Sequence, residues 1–388
     1  MCNIFSLASS IKRSQRRSYF RIGNRKIGDK NGEGSDLGNI GSVYSNLGDY
    51  PKALSYHEQA LKINRELGNK QGEGLNLGNI GLVYSNLGDY PNALSYYEQA
   101  LKITREIGDK NGEGASLGNI GIVYSNLGDY PKALSYNEQA LKITREIGDK
   151  NGEGSELISI GSVYLYLGDY SKALSYYEKA LKIKIEIGDK NGEGISLTNI
   201  GLVYMYLGDY PSALSYYEQA LKIQREIGDK NGESASLGNI GSVYSNLGDY
   251  LKALSYHEQA LKINRKIGDK NGEGSDLGNI GNVYSDLGDY PKALSCYEHV
   301  LKIHKEIGDK RRECAGLTNI GIVYSNLGDY SKALSYHDQA LKISIEIGIP
   351  TKKVETNIAD IWLNTGKIKE SEDAFLNREM NSCCLIFT

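Results

Sequence analysis

The sequence predicts an all-α solenoid of antiparallel helix pairs, and three observations predict it. A unit of forty residues recurs eight times between residues 31 and 350 without a register slip. Each unit carries two apolar stripes spaced by three and four, the period of a helix face. A glycine-bearing turn parts the two stripes in every unit. A chain built this way buries the apolar face of each unit only against its neighbours. That overrides the two or three globular domains otherwise expected of 388 residues.

In the first unit, Leu37, Ile40, Val43, Tyr44 and Leu47 mark the stripe of helix A. Gly48 can adopt the left-handed conformation that closes it. Pro51 follows where a helix start tolerates a missing N–H. Pro91, Pro131, Pro211 and Pro291 repeat the device, whereas Ser171, Leu251 and Ser331 replace it. Helix B is marked by Tyr50, Ala53, Leu54, Ala60, Leu61 and Ile63. Gly68 ends it, and Asn69, or Asp109 and Asp149 in later units, caps the next helix A. Glu58 with Lys62, and Lys62 with Glu66, stand at the i,i+4 spacing of exposed ion pairs.

Helix A is poor by intrinsic propensity, because Gly34, Gly38 and Gly41 would each cost about 1 kcal/mol relative to alanine. Packing must compensate. The recurrence of Gly41 as Gly81, Gly121 and onward to Gly321 is read as a close helix crossing, with Ala53 and Ala60 as its counterparts on helix B. A single unit is therefore expected to be unfolded in isolation.

Gly41, Tyr44, Gly48, Tyr50, Ala53 and Ala60 stand at the spacings of the tetratricopeptide repeat, with Leu37 at its usual first aromatic. The chain resembles that family over about residues 31 to 350. The usual period is 34 residues, and the added six fall in the IGDKNGEG stretch, which is expected to lengthen both helices. The resemblance implies a right-handed superhelical solenoid with helix A on its inner wall. The forty-residue spacing and the GDK·GEG··LGN pattern also resemble the repeat domain of the Pins/LGN adaptors. Those adaptors add short motifs that bind G-protein alpha subunits. This chain reaches Thr388 without such motifs, so only the peptide-holding half of that role is implied.

Three domains are expected: a basic segment over 1–30 with a partial repeat helix, eight units over 31–350, and a worn ninth unit with a tail over 351–388. In the ninth, Asn357, Trp362, Asn364 and Gly366 match Asn39, Tyr44, Asn46 and Gly48 after a two-residue deletion, and its second helix is expected at about 368–380. A terminal repeat that covers the stack should look this way. At the other end, residues 12–27 read as a lone helix B, whose uncovered edge offers a route to self-association. The first thirty residues hold eight basic side chains against Asp29, which also fits a targeting segment.

A net charge of −3 argues against a nucleic-acid groove, which needs a clustered basic face. No stretch has the length and apolarity of a membrane helix. Five cysteines without framework spacing fit a reducing, cytoplasmic setting. His57, His257, His299, His304 and His337 form neither a triad nor a metal pair, and the glycine-rich GNIG and GDKNGEG lack a phosphate-loop lysine. The expectation is a non-enzymatic scaffold with no cofactor and no metal.

The resemblance turns Ser35, Gly38, Asn39, Ser42, Ser45 and Asn46 toward the groove. The first asparagine recurs as Asn79, Asn119, Asn199, Asn239, Asn279, Asn319 and Asn357, interrupted by Ser159. Each amide offers one donor side and one acceptor side, the pair that clamps a peptide backbone of any sequence. The expected ligand is an extended peptide, with a small residue at Gly38 letting its backbone come near. The same amide could instead tie one helix to the next. A second row, Asn46, Asn86, Asn126, Asn246 and Asn326, is broken by Tyr166, Tyr206 and Asp286. Tyr166 and Tyr206, beside Leu165, Ile195, Leu202 and Met205, form a candidate anchor. No lysine or arginine occupies these positions, so the basic clamp of chaperone-binding members is missing, and Glu156, Asp276 and Asp286 tilt the groove toward a cationic ligand.

Overall fold

The computed structural model describes residues 29–366. The chain divides into two compact units, Met1–Gly208 and Asp209–Thr388. The first contains α1 (Lys30–Asn46), α2 (Tyr50–Glu66), α3 (Lys70–Asn86), α4 (Tyr90–Glu106), α5 (Lys110–Asn126), α6 (Tyr130–Glu146), α7 (Lys150–Tyr166), α8 (Tyr170–Glu186) and α9 (Lys190–Tyr206). The second contains α10 (Tyr210–Ile227), α11 (Lys230–Asn246), α12 (Tyr250–Ile267), α13 (Lys270–Asp286), α14 (Tyr290–Ile307), α15 (Lys310–Asn326), α16 (Tyr330–Glu346) and α17 (Lys352–Asn364). Each unit is an all-α, right-handed solenoid of antiparallel helix pairs. Helices contact chiefly their neighbours in sequence, and more lightly the next helix but one.

Local chemistry fixes each boundary. Asp49 accepts the backbone N–H of Lys52 at the start of α2, and Asp109 accepts that of Gly112 at the start of α5. A cap of this kind stabilises a helix by about 1 kcal/mol. Gly48 has φ 74° and Gly68 φ 68°, the left-handed conformation expected of them. The extra residues of the period lie inside the helices, several of which are 17 residues long.

The core is made of shared clusters. Ala93, Tyr97 and Leu101 of α4 meet Leu117, Ile120 and Val123 of α5, and Ala140 and Ile143 of α6. No pair buries its own apolar face, which is why an isolated repeat is not expected to fold. At the edge of each pair, Tyr44 stacks on Tyr56 at 5.4 Å, and the Lys52 ammonium lies 5.1 Å from the Tyr44 ring centre.

The recurrent glycine has a more specific cause than a close backbone crossing. A Cβ on Gly161 would stand 2.7 Å from Cε1 of Tyr177, and one on Gly41 would stand 2.8 Å from the His57 ring. One helix B ring per unit, His57, Tyr97, Tyr177, Tyr217, His257, Tyr297 or His337, is buried in this way; Asn137 takes the position in the third unit. Ala53 and Ala60 are themselves fully buried, as expected of small residues at a tight contact.

The exposed pairs of Glu58, Lys62 and Glu66 are not formed. Repeat-to-repeat bridges replace them. Arg65 Nε lies 2.9 Å from Glu73 Oε1, and Lys70 Nζ lies 2.9 Å from Glu73 Oε2. The glutamate of GDKNGEG thus joins the end of one helix B to the start of the next helix A. Glu113, Glu153, Glu233 and Glu273 repeat the arrangement. At Glu193 the arginine is replaced by Ile185, and a buried lysine appears instead. Lys184, 3% exposed, donates to the Asn151 carbonyl at 3.1 Å, to Asn151 Oδ1 at 2.5 Å and to Ser155 Oγ at 3.2 Å, and pairs with Asp189 at 3.0 Å.

Within the span expected of the ninth unit, α17 packs on α16 and buries Val354, Ile358, Ala359 and Ile361. Its second helix, the lone helix B of residues 12–27 and the basic segment lie outside the described residues.

Candidate peptide-binding face

Helix A buries Leu77, Ile80 and Val83 in the second repeat, and this places the asparagine of the same turn on the helix flank. Asn39 is exposed, and Asn79, Asn119, Asn199, Asn239, Asn279, Asn319 and Asn357 are half-buried. Among the described residues none of these side-chain amides hydrogen-bonds within the protein, and the Asn357 amide nitrogen is itself buried. Ser159, the one interruption, donates to the Ser155 carbonyl at 3.2 Å. Of the buried amides elsewhere, Asn64 donates to the Ala60 carbonyl at 3.0 Å and Asn76 to the Gly72 carbonyl at 2.8 Å, whereas Asn137 has no partner. No tie from one helix to the next uses the row.

Asn46, Asn86, Asn126, Asn246 and Asn326 are exposed, as is Asp286. Tyr166 and Tyr206 are 66% and 58% exposed. Neither stands alone, since Tyr166 stacks on Tyr130 at 6.0 Å and Tyr206 on Tyr170 at 5.9 Å. Each stack joins helix A of one repeat to helix B of the repeat before it. Ile195 is also exposed, while Leu165, Leu202 and Met205 are half-buried.

The expected clearance above Gly38 is only partly present. A Cβ on Gly38 would meet Asn76 Oδ1 at 3.3 Å, and the Glu156 carboxyl lies over Gly118. Gly78 and Gly278 have nothing within 4 Å of a Cβ position. Where the next helix A carries a long polar residue, the glycine is covered. Where it carries Ser116 or Gly316, the glycine is open.

Two depressions lie along the helix A flanks of the second unit. One, of about 260 Å³, is lined by Gly238, Asn239, Asp269, Ser275, Asp276 and Asn279 among others. The other, of about 390 Å³, includes Asn246, Asn282, Asp286, Tyr297 and Asn319. The structure therefore brings members of both asparagine rows to these depressions.

Burial pushes the Glu156 and Asp276 carboxyls up to about 7. For Asp276 the Asn264 hydrogen bond opposes this. Burial also drives His257 and His337 down to about 4, so these imidazoles are neutral packing groups. Their role at the recurrent glycine was invisible in the sequence, although tyrosine at the same position of other units was a signal for it. Among the described residues no group of three or more histidine, cysteine, aspartate or glutamate side chains could hold a metal, and no helix is long and apolar enough to cross a membrane.

The sequence profile described as tetratricopeptide repeat matches residues 34–106, 74–146, 112–186, 192–266 and 275–346. No curated protein matches the chain. Among solved structures, the apo form of the quorum sensor NprR from B. thuringiensis is similar at 16% identity and a TM-score of 0.61, covering 87% of this chain and 94% of that one. A STAND ATPase with a tetratricopeptide repeat sensor from Pyrococcus horikoshii is similar at 18% identity and a TM-score of 0.60, covering 87% of this chain and 52% of that one. A Rap protein complexed with competence and sporulation factor is similar at 17% identity and a TM-score of 0.57, covering 90% and 97%. At these identities the likeness is one of fold.

Proposed function

Because the chain belongs to the tetratricopeptide-repeat family, we propose that it is a scaffold holding an extended peptide along its helix A faces, with Asn39, Asn79, Asn119, Asn199, Asn239, Asn279, Asn319 and Asn357 clamping the peptide backbone. One observation carries this reading. A row of half-buried amides recurs repeat after repeat without an internal partner, although leaving such groups unsatisfied costs about 1–3 kcal/mol each once water is excluded. A peptide backbone supplies one acceptor and one donor per residue, which is what each amide can engage. The second row and Asp286 flank the clamp, and Tyr166 and Tyr206 add aromatic area for an anchor side chain. The likeness to Pins/LGN adaptors supports the same role. So does the Rap protein, which shares this fold and forms a complex with competence and sporulation factor. Repeat identity supports a protein without catalytic activity.

The test is a selection of random peptides displayed against the full chain, followed by titration of the enriched sequences. Saturable binding of a linear peptide supports the reading; enrichment of nothing above background refutes it. A second reading, self-association through the N-terminal edge, rests on the sequence ahead of the first full repeat, where residues 25–30 match the tail of a repeat. It predicts concentration-dependent dimers in sedimentation that vanish when residues 1–30 are deleted.

A further inference from the structure

We propose that the depression between α11 and α13 is a socket for one cationic side chain, lysine or arginine, of the bound peptide, with Asp276 at its floor. The inference rests on the peptide-holding reading and adds the charge class of one ligand residue.

Asp276 is 5% exposed. Its Oδ2 accepts a hydrogen bond from Asn264 Nδ2 at 2.7 Å, and its Oδ1 lies toward Gly238, 3.7 Å from where a Cβ would stand. The partner is neutral. Five other buried carboxylates are treated differently: Glu73, Glu113, Glu153, Glu233 and Glu273 each bond an arginine and a lysine, whereas the Glu156 carboxyl, like that of Asp276, has no cation. Two cations at the adjoining helix ends are already engaged, with Arg265 at 2.9 Å and Lys270 at 2.8 Å from Glu273. A buried carboxylate without a cation is costly, and an incoming one restores the pairing.

The cavity has the right shape for this. No lysine or arginine lines it, and Asp269 adds a second carboxylate, one oxygen of which caps the Gly272 amide at 2.9 Å. At about 260 Å³ it is smaller than the roughly 300–1,000 Å³ typical of a small-molecule pocket. Gly238 leaves the approach to the carboxylate open. Asn239 and Asn279, both without internal partners, line the same depression and are placed to hold the backbone on either side.

The socket is tested with small cations on the full chain, independently of any peptide. Methylguanidinium and n-butylammonium are titrated while the amide resonances of Gly238, Asn239, Gly272 and Ser275 are followed by NMR, with neutral N-methylurea as control. Both cations are expected to give saturable shifts that methylurea does not. Asp276→Asn, which keeps an acceptor for Asn264, is expected to weaken them about tenfold or more, and Gly238→Leu, which fills the space, to abolish them. Equal shifts with methylurea, no saturation, or an unchanged response in Asp276→Asn overturns the socket. The displayed-peptide selection decides the groove separately. Peptides that bind while the cations do not would leave the groove standing and remove the socket.

Discussion

The buried side chain of Asn137 lies against Gly121, and neither its amide nitrogen nor its oxygen is hydrogen-bonded. In neighbouring repeats this position is a ring: Tyr97 against Gly81 and Tyr177 against Gly161. The third repeat therefore combines an unsatisfied amide with a smaller side chain in the core. Asn137→Tyr is expected to raise stability by about 1–3 kcal/mol, the cost of such a group. Urea unfolding of the full chain measures it, and a lowered midpoint would show that the site cannot take the ring.

Glycines of helix A fall into two kinds that the sequence does not separate. Gly161→Ala is expected to destabilise by roughly 1–3 kcal/mol, because the new methyl would drive the Tyr177 ring from a packed core. Gly278→Ala is expected to stabilise by about 0.5–1 kcal/mol, since nothing lies within 4 Å and alanine is the better helix former. Thermal melting of the two variants should move in opposite directions.

The buried lysine makes a sharper demand. Asp189→Asn keeps the helix cap but leaves the Lys184 ammonium without its counter-charge, at an expected cost of about 3–5 kcal/mol. Lys184→Thr, the residue of the preceding repeat, should recover much of that loss in the double variant. A double-mutant cycle by denaturant unfolding checks it, and additive effects would contradict the pairing.

Acid should act on the array in two stages. Buried His257 and His337 have folded values near 4, below the ordinary 6.5, so the unfolded chain binds more protons between those limits. Taken alone, each histidine should cost on the order of 3 kcal/mol at pH 4, but the Glu156 and Asp276 carboxyls, raised to about 7, take up protons first in the folded chain and offset that loss over the same range. Glu233 follows. Burial pushes its carboxyl up, but the bonds from Lys230 and Arg225 outweigh this and hold it below the ordinary 4.5. Its stabilisation is complete above the unfolded value and is lost as pH falls through the folded one. His257→Tyr should remove part of the first stage and leave the second, as read from unfolding free energy against pH.

The repeat period, the two helices, the turns and the caps were legible in the sequence because each rests on local chemistry: apolar spacing, left-handed glycine, an acceptor before a helix. What was not legible lies between repeats. The bridge from Arg65 to Glu73 crosses a turn, so i,i+4 counting on helix B missed it and put Lys62 in its place. The ring over Gly41 belongs to another helix, and only packing identifies it. Asn39 and its repeats were read from spacing, whereas their lack of an internal partner needed coordinates. The asparagine beneath the Gly38 approach, Asn76, belongs to the following repeat and was likewise out of reach.

The central claim is that the asparagine row is kept for a guest chain and does not hold the fold. Its most direct test is the full chain with Asn119, Asn199 and Asn239 together replaced by alanine, compared with the wild type for melting temperature and for affinity toward a selected peptide. The expected result is an unchanged or slightly higher melting temperature with peptide affinity reduced about a hundredfold or more, from three lost clamps at roughly 1 kcal/mol or more each. Unaltered affinity, or a cooperative loss of the fold, would contradict the account.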